Sequence, residues 1–244
     1  MALPSLDIVL PCYNPAAGWR QRVVEALGKI AAELVETDLC VILVNDGSTR
    51  GLPKAGGEEL ELERALHAAG IQFRYLAYAP NRGKGHALRT GMQTATSQVQ
   101  IYTDVDFPYR EHSLIGLYRM LAEGQADIVA GVRDEGYYTN VPAGRRRISR
   151  LLRWMLRTFL RLRLTDTQCG LKGFNATGRK LFLQTSIRRF LFDLEFIYLA
   201  SNAKGIRLLP APVELKPDVV FSKVNPRILL GEGLNFIRIL LRRR

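Results

Sequence analysis

Short apolar runs alternate with longer segments of helical periodicity along the first half of the chain. Asp7 to Leu10 reads as a buried strand that ends at Pro11, and Trp19 to Leu34 repeats its apolar positions at helical spacing. Cys40 to Val44 is a second strand, Glu58 to Ala69 a charged amphipathic helix, and Ile71 to Ala77 a third strand. Gly85 to Ala95 reads as a helix, Val99 to Tyr102 as a strand, Glu111 to Glu123 as a helix and Asp127 to Val132 as a fifth strand. Strands separated by helices predict an α/β fold, a mostly parallel sheet covered on both faces. Gly51 to Gly57 is a flexible connection within it, and the chain has no internal repeat.

The pattern changes after Arg133. Tyr137 to Gly144 reads as a mobile loop, and Arg145 to Leu164 as a basic helix without an acid. Arg146, Arg150, Arg153, Arg157 and Arg161 share one face of it, and Ile148, Leu152, Met155, Phe159 and Leu162 another. Pro226 to Arg244 repeats the theme with Leu229, Leu230, Phe236, Ile237, Leu240 and Leu241. This divides the chain into a domain over 1–225, with the helix of about 145–164 inside it, and a basic amphipathic helix over 226–244.

Composition adds one fact to this picture. Hydrophobic content of 47% and charged content of 24% are ordinary for a globular protein, but the formal net charge is +12. Such a surface favours phosphates, anionic lipid or nucleic acid. Cys12, Cys40 and Cys169 show neither zinc spacing nor a disulfide framework, which fits a reducing compartment. No secretory leader is legible at the N-terminus, and no apolar run reaches the roughly 20 residues of a membrane span, so a soluble or peripheral protein is expected.

The candidate chemistry sits where strands end. Asp104-Val105-Asp106 follows the fourth strand, at the carboxyl edge where open α/β sheets bind ligands. Two carboxylates so placed suit Mg²⁺ or Mn²⁺, which prefer oxygen ligands and often share them with substrate phosphates. Asn45-Asp46-Gly47-Ser48 ends the second strand, either as a second contributor or as a plain Asx turn. Asn81-Arg82-Gly83-Lys84-Gly85-His86 precedes a helix, and its glycines and lysine suit a phosphate as well as they suit a helix-initiating turn. It is not a P-loop. His67, His86 and His112 have no ligand spacing.

In order, Pro11-Cys12-Tyr13-Asn14, Asn45-Asp46-Gly47-Ser48, Asn81-Arg82-Gly83-Lys84-Gly85 and Asp104-Val105-Asp106 resemble the GT-A fold, family 2 glycosyltransferases. Asp166-Thr167-Gln168-Cys169-Gly170-Leu171-Lys172-Gly173-Phe174, Phe192-Asp193-Leu194-Glu195 and Ser222-Lys223-Val224 are similar to their dolichyl-phosphate glucosyltransferase and mannose synthase branch. The resemblance implies a Rossmann-like catalytic domain with membrane-surface helices. It implies a nucleotide-sugar donor, UDP-glucose or GDP-mannose, held by Pro11, Tyr13, Asp46, Lys84, Asp104, Arg133 and Lys223. Asp104 and Asp106 would hold the ribose and the metal–diphosphate, with Asp106 in direct metal contact. One departure stands out: Asn14-Pro15 replaces the family's frequent Asn-Glu and removes a carboxylate from nucleoside recognition.

The implied reaction is inverting transfer of a hexose to a polyprenyl phosphate at an anionic membrane surface, on the cytoplasmic side. A hydroxyl acceptor would need a general base, for which Asp166 and Asp193 are the candidates. A phosphate acceptor is largely dianionic at neutral pH and needs none, so these acids would then orient Lys172, an arginine or the sugar. The two readings, glycan or glycolipid hydroxyl against lipid phosphate, stay open at this point. So does a basic membrane- or nucleic-acid-binding protein on a degenerate transferase scaffold, although no nucleic-acid module accompanies the charge and no nucleic acid is expected as a partner.

Overall fold

The computed structural model describes residues 3–54, 57, 59–133, 156, 158, 160, 162, 164, 166–217 and 226–241. Its strands are β1 (Leu6–Cys12), β2 (Leu39–Asp46), β3 (Gln72–Tyr78), β4 (Val99–Tyr102), β5 (Ile128–Arg133), β6 (Lys172–Asn175) and β7 (Leu208–Val213). The helices are α1 (Trp19–Glu33), α2 (Leu60–Ala68), α3 (Lys84–Thr94), α4 (Glu111–Ala122), α5 (Ala176–Phe182), α6 (Phe192–Asn202) and α7 (Pro226–Leu241).

One seven-stranded sheet runs in the order β3-β2-β1-β4-β6-β5-β7. β1 and β2 are buried along their whole length, as central strands of a doubly covered sheet must be. They pair in parallel from Leu6 opposite Leu39 to Cys12 opposite Asn45, so the first two motifs emerge side by side. β4 pairs with β1 in parallel and delivers Asp104 to the same edge. Alternate residues of β1 face opposite layers. Leu6, Ile8 and Leu10 pack with α1, α2 and α4, while Val9 packs with α3, α5 and α6.

β6 lies antiparallel between β4 and β5 and breaks the parallel pattern. It escapes the sequence reading because Lys-Gly-Phe-Asn has neither strand alternation nor an apolar run. β7 escapes because Pro210 and Pro212 argue against a central strand; it lies at the sheet edge, where prolines are tolerated. α6 carries no amphipathic stripe, since Asp193 and Glu195 are buried along with its apolar residues. The basic helix expected over 145–164 lies outside the described residues, apart from single positions. Of these, Leu156, Leu160 and Leu162 are buried in the α3–α6 layer.

α7 shares that core. Ile239 is buried among it, and Glu232 accepts hydrogen bonds from the backbone N–H of Phe190 (3.3 Å) and Leu191 (3.0 Å) at the start of α6. Among the described residues no helix is long and apolar enough to cross a membrane.

Candidate active site

Chain direction brings the carboxyl ends of β1, β2 and β4 to one edge, and three loops meet there. Asp104 and Asp106 occupy the turn after β4. Phe107 closes the turn, donating its N–H to the Asp104 carbonyl at 3.0 Å with φ of 46°. That left-handed conformation disfavours a bulky residue, and burial of the phenylalanine ring (3% exposed) holds it.

Lys84, the first residue of α3, pairs with Asp104 at 2.5 Å. Burial opposes its charge, but Asp104, Asp193 and Asp106 outweigh it and hold the ammonium above its ordinary pKa. Asp106 is reached by solvent, yet the protein mass around it and the neighbouring Asp104 raise its carboxyl above the usual range. Two acids in mutual repulsion at a helix N-terminus with a lysine form a charge-poised site.

Asp46 does not lie open to solvent. Its carboxylate accepts from the Tyr78 hydroxyl (2.8 Å), the Asn81 amide (2.8 Å) and the N–H groups of Arg82 (2.7 Å) and Gly83 (2.8 Å). These bonds fix the loop that positions Lys84. Gly47 and Gly83 are required there: φ is 71° and 100°, and a side chain at either would strike backbone. Asn14 is similarly engaged, its side-chain oxygen accepting from the N–H groups of Thr49 and Arg50. Pro11 is buried in β1, and Tyr13 just beyond is 52% exposed at the same edge. The turn reading of Asn45-Asp46-Gly47-Ser48 holds for Asn45, whose side-chain oxygen accepts the Ser48 N–H at 2.8 Å, but not for Asp46, which laces two separate loops together.

The second-half motif forms the opposite wall. Arg133 at the end of β5 grips Asp166 with its backbone N–H (2.8 Å), Nε (3.0 Å) and Nη2 (2.6 Å). Burial raises the Asp166 pKa, but Arg133 reverses the sign, leaving it below the usual carboxylate range. Asp166 is therefore an arginine clamp, and it caps no helix. Asp193 is no surface acid: it is 4% exposed and accepts from Lys172 (2.7 Å) and the Tyr102 hydroxyl (2.5 Å). Lys172, wholly buried, also donates to the carbonyls of Thr167 (3.1 Å) and Cys169 (2.5 Å). The turn they shape brings Gly170 onto the acid pair, where a Cβ would lie 2.6 Å from Asp104 Oδ2. Tyr109 completes the wall by accepting the Gly170 N–H at 3.1 Å. Lys223 lies outside the described residues.

Tyr102, Phe107 and Tyr109 were not singled out from sequence. Tyr102 and Phe107 flank the acid pair, which is the one signal that could have found them; Tyr109 shows none.

Gly170→Ala is expected to leave the fold intact, because its backbone is not left-handed, while displacing Asp104 from Lys84. The overpacking should cost about 1–3 kcal/mol in urea unfolding, and any divalent-metal requirement should rise with it. An unchanged metal titration would refute the contact.

Paired acids, a helix-start lysine and a clamped arginine gather at the carboxyl edge of the parallel sheet of an α/β fold. The profile of Glycosyl transferase family 2 matches residues 7–189, and the chain belongs to that family. A dolichyl-phosphate beta-glucosyltransferase of Drosophila melanogaster is 29% identical over 82% of this chain. Glycosyltransferase AglD of Haloferax volcanii is 27% identical over 96% of it. The chain spans 64% of the fly protein and 36% of the archaeal one. The glucosyl-3-phosphoglycerate synthase of Mycobacterium tuberculosis, crystallised with UDP, superposes with a TM-score of 0.65 at 17% identity, covering 98% of this chain and 80% of that one. The likeness establishes the GT-A type of fold expected from sequence.

Proposed function

We propose that the protein transfers a hexose, glucose by preference, from a UDP-sugar to a polyprenyl phosphate, with inversion, at the cytoplasmic surface of a membrane. The observation that carries this reading is that both acids eligible as general base are already committed, Asp166 to Arg133 and Asp193 to Lys172 and Tyr102. A hydroxyl acceptor would need one of them released; a phosphate dianion needs neither. The relatives named for dolichyl-phosphate glucosylation support the acceptor class, and the mycobacterial synthase crystallised with Mn²⁺ and UDP-glucose supports the donor.

The residues fit a divalent cation. Asp104 and Asp106 supply hard oxygen ligands, and Asp106 is held above its usual pKa partly by Asp104, a repulsion a cation would relieve. Among the described residues no third acid, histidine or cysteine joins them, which suits an ion whose remaining ligands are diphosphate oxygens and water. Such an ion would neutralise the diphosphate and make it a better leaving group.

The chain's own residues do the rest. Lys84 adds positive charge beside the acids at a helix N-terminus, where diphosphate charge is stabilised. Tyr13 and Pro11 bound the nucleoside end. Arg133, held rigid by Asp166, meets phosphate charge. The acceptor phosphate oxygen attacks the anomeric carbon, its bond to the donor phosphate breaks, and the nucleotide departs with the electron pair. No proton has to move.

Purified protein should convert radiolabelled UDP-glucose, with Mg²⁺ or Mn²⁺, into labelled lipid on a polyprenyl phosphate. GDP-mannose should be the poorer donor. Transfer to a hydroxyl acceptor with none to the lipid phosphate would overturn the reading.

A further inference from the structure

The loop before α6 and one side of α7 enclose a groove of about 730 Å³, whose lining includes Arg188, Arg189, Glu195, Asn235, Arg238 and Leu241. Arg188, Arg189 and Arg238 are exposed. None of the ion pairs among the described residues engages them. Around the same groove Phe190 is 50% exposed, Ile237 52% and Leu241 71%. Single exposed apolar residues are ordinary on a surface. Here Leu241 lines the groove, Phe190 directly follows Arg189, Ile237 directly precedes Arg238, and Ile237 and Leu241 stand one helical turn apart on one face. Glu195, the acid in the groove lining, is buried and accepts from the backbone N–H groups of Ser186 and Ile187.

The groove is rigid and is mechanically joined to the site. Glu195 accepts from the N–H groups of Ser186 and Ile187 at 2.8 Å each, while Arg89 donates to the Ile187 carbonyl at 2.9 Å. The Arg188 carbonyl accepts the His86 N–H at 3.2 Å and lies where a Cβ on Gly83 would meet it at 2.6 Å. The arginine loop therefore rests on the residues that flank Lys84.

We propose that this surface docks on anionic phospholipid head groups. Phe190, Ile237 and Leu241 enter the interface between head groups and acyl chains, and Arg188, Arg189 and Arg238 bind lipid phosphates. The contact sets the α3 N-terminus, and with it Lys84 and Asp104, against the bilayer. What the site does once there rests on the polyprenyl-phosphate reading; the docking itself rests on the exposed side chains.

Co-sedimentation with phosphatidylglycerol vesicles tests it. The wild type should bind them, weakly at high salt, and bind phosphatidylcholine vesicles poorly. Arg188→Gln/Arg189→Gln/Arg238→Gln should lower partition on the order of a hundredfold, and Phe190→Ser/Ile237→Ser/Leu241→Ser by about tenfold or more. Both should melt as the wild type does and keep its transfer rate to a short-chain, water-soluble polyprenyl phosphate. Vesicle binding unchanged in both triples overturns the proposal, as does arginine-dependent retention of an RNA oligonucleotide with none of the vesicles at about 0.15 M salt. If no form transfers sugar to the soluble acceptor, the acceptor reading fails, while the vesicle result still decides the docking surface.

Discussion

Asp106→Ala should lower kcat/KM for sugar transfer by about a hundredfold to a thousandfold without lowering the thermal midpoint. The two halves of this expectation have one cause. Asp106 is open to solvent, and both its surroundings and Asp104 oppose its ionisation. The fold gains little from its charge, so removing the carboxylate relieves repulsion and leaves stability unchanged or slightly higher. On the proposed reading, catalysis loses a carboxylate that would meet a cation and the diphosphate. Asp106→Asn should resemble alanine in rate, because shape is kept and charge is not. As pH falls through the raised pKa of Asp106, protonation should weaken metal binding at a higher pH than an ordinary aspartate would. Steady-state kinetics and a melting curve decide the matter. A variant within about threefold of wild-type kcat/KM would remove Asp106 from the site.

Lys172→Met should have the opposite signature, a large loss of stability. The substitution leaves the buried Asp193 carboxylate the Tyr102 hydroxyl as hydrogen-bond donor and no directly paired cation, and breaking a buried pair from one side costs about 3–5 kcal/mol. Lys172→Met/Asp193→Leu removes both charges and should recover much of that, short of about 1–3 kcal/mol for the Tyr102 hydroxyl left without its acceptor. Activity should not recover with it. Lys172 also pins the Thr167 and Cys169 carbonyls, and so the turn that sets Gly170 against Asp104. A folded, stable and poorly active double variant marks Lys172 as a positioning residue. If Lys172→Met kept its turnover while Asp193→Asn removed one limb of the pH–rate profile, Asp193 would be the general base. Urea unfolding measured beside the transfer assay separates these outcomes.

Lys172 also shows what sequence reasoning can reach. A lysine reads as a solvated residue, and here it is wholly buried within a strand. Nothing local announces this, because its partners are a carboxylate on α6 and two carbonyls of its own turn. The elements that were legible are the apolar runs β1 to β5 and the amphipathic helices α1 to α4 and α7. β6, α5, α6 and β7 were not, since their neighbours in space and not their own pattern make them regular.

The sequence by itself determined the alternation of strands and helices. It therefore determined that Asn45-Asp46, Asn81 to Lys84 and Asp104-Val105-Asp106 leave one edge of a parallel sheet. Chain direction is enough for that. Which of these residues would meet a ligand and which brace the others was decided only in three dimensions. Asp46 is consumed by four hydrogen bonds from the Tyr78 to Gly83 segment, Asp166 by Arg133, and Asp193 by Lys172 and Tyr102. A carboxylate's role depends on which donors reach it, and those donors lie 32 to 37 residues away for Asp46 and 91 for the Tyr102–Asp193 bond. No window along the chain contains that information. Asp104, paired with Lys84, and the exposed Asp106 are the acids left at the open edge of these five.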